Sequence, residues 1–285
     1  MGTLEGRRIA VTGASRGIGA ACCRRLAAKG ASLALVARDR AACASLLRTL
    51  PGGPHDVVAL DVTDEGAWHS AQDALGRDGL LHGLVTAAGV LAPIGPVGTF
   101  SIEAFRRTLD VNLVGTLLAV TTTLDALSRA QGAVVTLSGG GATGPFPRFD
   151  AYAASKAAVV RLTENLAVEL APNGVRCNAV APGFVVSAMH EETLSAGPER
   201  VGAAYYERTR VALASGGDPP EDAADLVAFL VSDAAEGITG KLISARWDPW
   251  RRPEFRERLR RDADLATLRR IDDQFFGALS RPGPR

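Results

Sequence analysis

Arg8-Ile9-Ala10-Val11-Thr12-Gly13-Ala14-Ser15-Arg16-Gly17-Ile18-Gly19 is the stretch that decides the fold. A short apolar run enters a glycine-rich turn, and the turn opens an Ala-rich helical pattern that ends near Lys29. In a strand–turn–helix unit of this kind Gly13 allows the tight turn, Gly17 lets the backbone approach a pyrophosphate, and Gly19 lets helix and strand pack closely. The helix N-terminus then faces the phosphate charge, with Ser15, Arg16 and Ile18 in the same loop. The bland alternative is a plain connecting loop. The position between a first strand and a first helix favours the nucleotide reading.

Outward from this unit the pattern repeats. Strands are expected at Arg8–Val11, Leu33–Val36, Val57–Leu60, Leu84–Thr86, Ala133–Leu137, Arg176–Val180 and Leu242–Ser244. Helical segments alternate with them at Gly17–Lys29, Arg40–Leu50, Glu65–Leu75, Ile102–Leu127, Ala151–Leu170 and Glu221–Val231. Continuous apolar strands alternating with helices imply an α/β fold, a doubly wound parallel sheet with helices on both faces. Two stretches interrupt the rhythm. Glu191 to Gly217 is polar and reads as an active-site lid or an oligomer contact. Beyond Ser244, a tail with helical patterns at Pro253–Arg261 and Leu265–Phe276 carries Trp247, Trp250, Phe255, Phe275 and Phe276. Those aromatics are expected to pack on the body or on a neighbouring subunit.

The 285 residues carry a net charge of +1, which gives no sign of a nucleic-acid partner. Cys22, Cys23, Cys43 and Cys177 have neither metal-ligand spacing nor a disulfide framework, so reduced thiols and a cytoplasmic location are expected, with no metal. No secretory leader is evident, and no apolar run is expected to reach membrane-spanning length.

The second strand ends at Ala37-Arg38-Asp39. An acidic residue at this strand end would select the adenosine ribose hydroxyls, whereas an Arg accepts a 2′-phosphate. Ala37 at the tip, followed by Arg38 and approached by Arg16, favours NADP over NAD, with NAD still possible. Alternatively, Arg38 and Asp39 simply begin a helix cap. Asp61 either meets the adenine amino group or caps the next helix. Tyr152 and Lys156 stand four residues apart in a helical run, on one face and one turn apart. A nearby cation stabilises phenolate, so Lys156 should lower the Tyr152 pKa and suit the phenol to proton transfer. Lysine occurs only three times in the chain, which makes this placement less easily dismissed as filler.

With these residues in hand the chain resembles the short-chain dehydrogenase/reductase family in its compact single-domain form, over about Gly6 to Ser244. The resemblance rests on Thr12-Gly13-(x)3-Gly17-x-Gly19, Asp61-Val62, Ala87-Ala88-Gly89, Val111-Asn112-Leu113, Tyr152-(x)3-Lys156 and Pro182-Gly183. It implies a Rossmann-like sheet of about seven strands in residues 1–245 and hydride transfer between NAD(P) and a small carbonyl or alcohol substrate. It further implies that Tyr152 is the general acid/base and that Lys156 holds the nicotinamide ribose. Asn112 would support a water relaying protons to Lys156, or else act as a helix-kink Asn satisfied by backbone. Val62, Ala88 and Gly89 would border the cofactor. Pro182, Gly183, Val185 and Ser187 would border the nicotinamide, Ser187 standing where the family usually has Thr. A homodimer or homotetramer is implied, pairing through Val111–Leu127 and Ala151–Leu170.

Three departures stand out. Thr86-Ala87-Ala88-Gly89 replaces the family's Asn-Asn-Ala-Gly. The family's catalytic Ser, thirteen residues before the Tyr, falls on Gly139; Ser138 next to it is the candidate donor, Thr143 a weaker one. The last strand leads into an extension, residues 246–285, expected to be helical. The polar lid and the Arg/Trp-bearing tail suggest a hydroxylated substrate, and His190 is expected to be a partly exposed lid residue. The expected activity is an NADP(H)-preferring oxidoreductase interconverting a ketone or aldehyde and an alcohol. The rivals are a cofactor-binding protein with little catalysis and a redox-neutral epimerase using transient oxidation.

Overall fold

The computed structural model describes residues 3–269. Seven strands form one parallel sheet: β1 (Arg8–Thr12), β2 (Ser32–Ala37), β3 (Asp56–Ala59), β4 (Gly83–Thr86), β5 (Ala133–Leu137), β6 (Arg176–Ala181) and β7 (Leu242–Ser244), in the order β3-β2-β1-β4-β5-β6-β7. The order reverses beside β1, so the crevice outside the carboxyl ends of β1 and β4 is the switch point where such sheets bind ligands. Both faces are covered, which explains strands that are buried throughout, such as β1, β4 and β5. On one face Ile9, Val11, Val85 and Val135 meet α1 (Gly17–Ala28) and α9 (Pro220–Leu230). On the other, Ala10, Leu84 and Val134 meet the helices that follow β3, β4 and β5.

Those helices are α3 (Glu65–Leu75), α5 (Gly115–Ala130) and α6 (Asp150–Glu169), with α4 (Ile102–Leu109) packed on α6, while α2 (Arg40–Leu47) packs by β2 and β3. The single helix expected from Ile102 to Leu127 is interrupted by a π-helical turn at Asp110–Val114. Its cause is tertiary. The buried Asn112 side chain accepts from Val90 N–H (2.8 Å) and donates to Val90 C=O (3.0 Å), pulling the helix onto the loop after β4. The continuous helical stretch Ile102–Ala130 is, contrary to expectation, long and apolar enough to cross a membrane. Half of its apolar window is buried in the protein, as in a core helix.

The polar insertion folds into two helices, α7 (Ala188–Val201) and α8 (Ala203–Ser215). Gly197, at φ 79°, kinks α7 ahead of Pro198, and Gly202, at φ 91°, ends it. The helices are fastened to the body. Arg200 donates twice to Ile94 C=O (3.0 and 2.9 Å), and Arg148 donates to Glu199 and Arg200 carbonyls.

The extension begins with Trp250, fully buried on Phe229 (ring centroids 5.8 Å apart), and continues as α10 (Pro253–Arg261). Trp247, expected to pack, is 70% exposed. Residues 265–269 are not helical as expected, and the remainder of that segment, with Phe275 and Phe276, lies outside the described residues. Buried Lys241 donates to Asp262, Ala263 and Leu265 carbonyls (2.6–3.0 Å), and Leu242 N–H donates to Ala266 C=O (2.7 Å), so the tail lines the outer edge of β7. Leu268 N–H in turn donates to Glu164 of α6 (2.6 Å).

Candidate active site

The expected cofactor residues lie along the carboxyl ends of the strands. A Cβ on Gly13 would stand 2.7 Å from Ala88 N, and one on Gly19 would overlap the Gly13 carbonyl oxygen, so both glycines serve close packing of β1, α1 and β4. Thr12 Oγ1 ties the same corner by accepting from Ala88 N–H (3.1 Å). Gly17 differs: at φ 55° its missing Cβ would meet nothing within 4 Å, so its backbone faces open space. Arg16 caps α1 without a side-chain hydrogen bond, and both Arg16 and Gly17 are exposed. An uncapped helix N-terminus beside an open glycine backbone fits a dinucleotide pyrophosphate.

At the end of β2, Asp39 is the N-cap of α2, accepting from Ala42 N–H (2.9 Å). Arg38 stands beside it, 68% exposed and 3.8 Å from Asp61. Asp61 is not a helix cap. It accepts from Thr63 N–H and Oγ1 (3.0 and 2.8 Å) and from Arg107 (3.2 Å), and Asp64 caps α3. Burial works against the Asp61 carboxylate, but the Thr63 and Arg107 hydrogen bonds outweigh it and hold the pKa below its ordinary value. Val62 is buried, its carbonyl accepting from Trp68 Nε1 (3.0 Å).

Asn112, Tyr152 and Lys156 converge. Besides the Val90 backbone, Asn112 Nδ2 donates to Ser155 Oγ (2.9 Å) on α6. Lys156 is buried, and its Nζ donates to Leu137 C=O (2.9 Å) at the end of β5. That Nζ is 5.6 Å from the Tyr152 ring centroid. A Cβ on Gly89 would lie 3.3 Å from Asn112 Oδ1 and 3.7 Å from Lys156 Nζ, which places Gly89 in the same cluster.

Two expectations need correction. Lys156 does not lower the Tyr152 pKa here: burial, with Tyr205 adding, pushes the phenol above its ordinary value. Burial likewise lowers Lys156 to about 8. Spacing alone identifies the neighbours but not their desolvation, which works against the charged form of each. Secondly, Ser138 does not reach the phenol. Its N–H extends the β5 ladder to Val180 C=O (2.8 Å), and its side chain follows the face of Thr136, whose hydroxyl meets Thr163 of α6 (2.8 Å). Ser138 Oγ is buried without a hydrogen-bond partner among the described residues. Gly139 faces Tyr152 instead: a Cβ there would overlap the phenol oxygen and stand 3.0 Å from Cζ.

After β6, the Pro182–Ser187 loop is clasped by Asp218, which accepts from Phe184 N–H (2.7 Å), would touch a Cβ on Gly183 at 2.6 Å, and pairs with Arg246 of the extension (3.3 Å). Val185 is buried. Ser187 Oγ bonds His190 Nδ1 (3.2 Å), and the His190 ring rests on Phe184 (4.2 Å between centroids), where burial lowers its pKa.

The insertion does not present a polar wall to Tyr152. Phe146 and Phe149 stack (4.3 Å), and Tyr205 of α8 meets both edge-on (4.9 and 5.2 Å). Leu91, Ile94, Met189 and Tyr152 complete this cluster. Sequence reasoning passed over Phe146, Phe149, Leu91, Ile94 and Met189. The available signal was two phenylalanines three apart, Phe146 and Phe149, immediately before the helix of Tyr152.

Comparison with known proteins places the chain in a family. Residues 13–245 match a family model described as enoyl-(acyl carrier protein) reductase. The chain is 37% identical, over 86% of its length and 97% of the relative's, to cis-4-hydroxycyclohexanecarboxylate dehydrogenase of Sinomonas cyclohexanicum. It is 34% identical to 3beta-hydroxysteroid dehydrogenase 1 of Eggerthella lenta, over 83% of this chain and 91% of that one. The crystal structure of levodione reductase superposes with a TM-score of 0.75 at 30% identity, covering 84% of this chain and 96% of that one. The chain therefore belongs to the short-chain dehydrogenase/reductase family, whose members use nicotinamide cofactors to oxidise alcohols or reduce carbonyls.

Proposed function

We propose that this chain is an NADP(H)-preferring oxidoreductase that interconverts a ring ketone and the matching secondary alcohol, with Tyr152 as proton donor and acceptor. The observation that carries the reading is the Tyr152 hydroxyl at the mouth of the sheet, beside Lys156 and walled by Phe146, Phe149, Tyr205 and Leu91. A flat or puckered carbocycle fits apolar aromatic walls better than a hydroxylated chain, whose hydroxyls would lose water without gaining partners. Relatives named for hydroxycyclohexanecarboxylate, steroid and levodione substrates support the same class.

A bound nicotinamide dinucleotide supplies or takes up the hydride. The protein's own groups do the rest. The uncapped α1 N-terminus and Gly17 hold the pyrophosphate, and Arg38, with no acid at Ala37, accepts a 2′-phosphate in exchange for its exposed contact with Asp61. Lys156 holds the ribose hydroxyls, Asn112 braces the helix of Lys156 through its hydrogen bond from the π turn to Ser155 of α6, and Ser138 stays in the packing. The Pro182–Ser187 loop, clasped by Asp218, covers the nicotinamide face. A second copy of the chain covers the apolar residues left exposed on α5 and α6, Leu117 and Val168 among them. Four buried, unpaired cysteines suit a reducing cytoplasm.

The test is steady-state reduction of 4-substituted cyclohexanones with NADPH and with NADH. Tyr152→Phe is expected to lower kcat ~10³-fold or more. Arg38→Ala should cut the NADPH preference by about tenfold or more with little change in kcat for NADH. Equal rates for wild type and Tyr152→Phe would leave a cofactor-binding protein without this chemistry.

A further inference from the structure

Resting on that reading, and deepening it, one question is open: which group holds the substrate oxygen opposite Tyr152 when no side-chain hydroxyl is in place? Ser138 Oγ is sealed from solvent on the α6 side. Thr143 lies beyond a turn closed by Ala142 N–H to Gly139 C=O (3.3 Å) and is exposed. Between them runs Gly139-Gly140-Gly141.

We propose that main-chain N–H groups of this glycine turn form the second hydrogen bond to the substrate oxygen, in place of a side-chain hydroxyl. Three observations carry the proposal. The phenol oxygen rests on Gly139, in the volume that any side chain at that position would fill. An oxygen placed ~2.7 Å from the phenol on its Gly139 side is therefore beside glycine backbone, with no side chain of residue 139 between them. Next, the N–H groups of Gly139, Gly140 and Gly141 have no hydrogen-bond partner among the described residues, whereas those of Ser138 and Ala142 on either side are committed. Finally, the turn is held in place: a Cβ on Gly140 would stand 3.3 Å from Phe146, and one on Gly141, at φ 83°, would stand 2.8 Å from Phe146 Cβ. Free donors fixed by packing beside the phenol oxygen need no reorganisation to meet charge that develops there.

The chemistry balances without a further reactant. In reduction the carbonyl carbon gains the hydride that a reduced nicotinamide would supply, the C=O π pair moves onto oxygen, and that oxygen takes the Tyr152 proton, leaving the phenolate to be reprotonated from solvent. The amides stabilise the charge in between and keep their own protons. In oxidation the alcohol proton goes to the Tyr152 phenolate, the same amides hold the alkoxide character, and the carbon gives its hydride to the oxidised nicotinamide that would be bound.

The experiment has two arms. In the first, protein labelled with ¹⁵N-glycine is titrated with cyclohexanone, without cofactor. Signals of Gly139–Gly141, assigned through Gly139→Ala, Gly140→Ala and Gly141→Ala, are expected to move downfield saturably; no movement of any of them overturns the proposal. In the second, Ser138→Ala and Thr143→Ala are expected to keep kcat within about threefold of wild type. Gly139→Ala and Gly139→Ser are expected to lower kcat by ~10-fold or more, because the added Cβ displaces the phenol. Loss of ~10²-fold in kcat at unchanged KM in Ser138→Ala or Thr143→Ala would assign the donor to that hydroxyl. A higher kcat in Gly139→Ser would show an unfilled vacancy, and would equally overturn the proposal. Unfolding midpoints of all variants separate chemistry from misfolding. Turnover that collapses in Tyr152→Phe while no glycine signal moves marks failure of this proposal alone, whereas equal turnover in wild type and Tyr152→Phe marks failure of the oxidoreductase reading.

Discussion

Arg8 and Lys156 are both buried cations, and the sheet treats them oppositely. At the amino edge, Arg8 donates to Leu75 and Leu33 carbonyls (3.1 and 2.9 Å), Ser32 Oγ (3.0 Å), Ala74 C=O (2.8 Å) and Asp56 (2.7 Å). Nearly every donor of its fork has a home, which is how a buried charge is made compatible with stability. At the carboxyl edge, Lys156 has one carbonyl and no carboxylate. Its charge is under-solvated, and its pKa of about 8 reports that deficit. The first cation is architecture. The second has donors to spare for a ligand, so it costs stability until the ligand arrives.

The contrast can be broken in graded steps. Arg8→Met should destabilise the most, by roughly 3 kcal/mol, because several buried carbonyls lose their donor at once. Urea unfolding at pH 7 measures it, and a change under 1 kcal/mol would deny Arg8 its structural part. Lys241→Met should cost less, roughly 2 kcal/mol, and should free the tail to limited proteolysis near Asp262. Lys156→Met should go the other way and stabilise the cofactor-free protein by about 1 kcal/mol at pH 7. The buried charge costs roughly 3 kcal/mol, and the orphaned Leu137 carbonyl returns part of it. The sign also fixes the pH dependence. The folded lysine titrates at about 8 and the unfolded one at 10.5. The unfolded chain therefore binds more protons between those values, so wild-type stability should rise with pH from about 8 upwards. Lys156→Met should remove that rise, and an unchanged slope would assign it to other groups.

The two edges also differ in how well they could be read. The seven strands, α1 and the glycine turn follow from local rules: apolar runs, one turn, one uncapped helix start. Each glycine of the first loop meets a constraint set within a few residues or by the neighbouring strand. The catalytic side depends on what packs from far away. The π turn at Asp110–Val114 exists because Asn112 reaches Val90, and nothing in its own window announces that. The direction of the Tyr152 shift comes from burial by Phe146 and Tyr205, which a spacing of four residues does not encode. A count of thirteen residues points to Gly139, but only the folded chain puts a phenol on top of it. Lid polarity misled for a related reason: α7 and α8 carry their charges on the outside and turn Tyr205, Met189 and Val201 inward.

The Leu242–Ala266 hydrogen bond has a consequence of another kind. An outermost strand with free amide and carbonyl groups is an invitation for another chain to add itself there. By laying its own tail along part of that border, this protein occupies a docking line that would otherwise be available to strangers. Cutting the chain after Arg261 would leave a hungry ammonium and a bare margin together, so stickiness should appear before unfolding does.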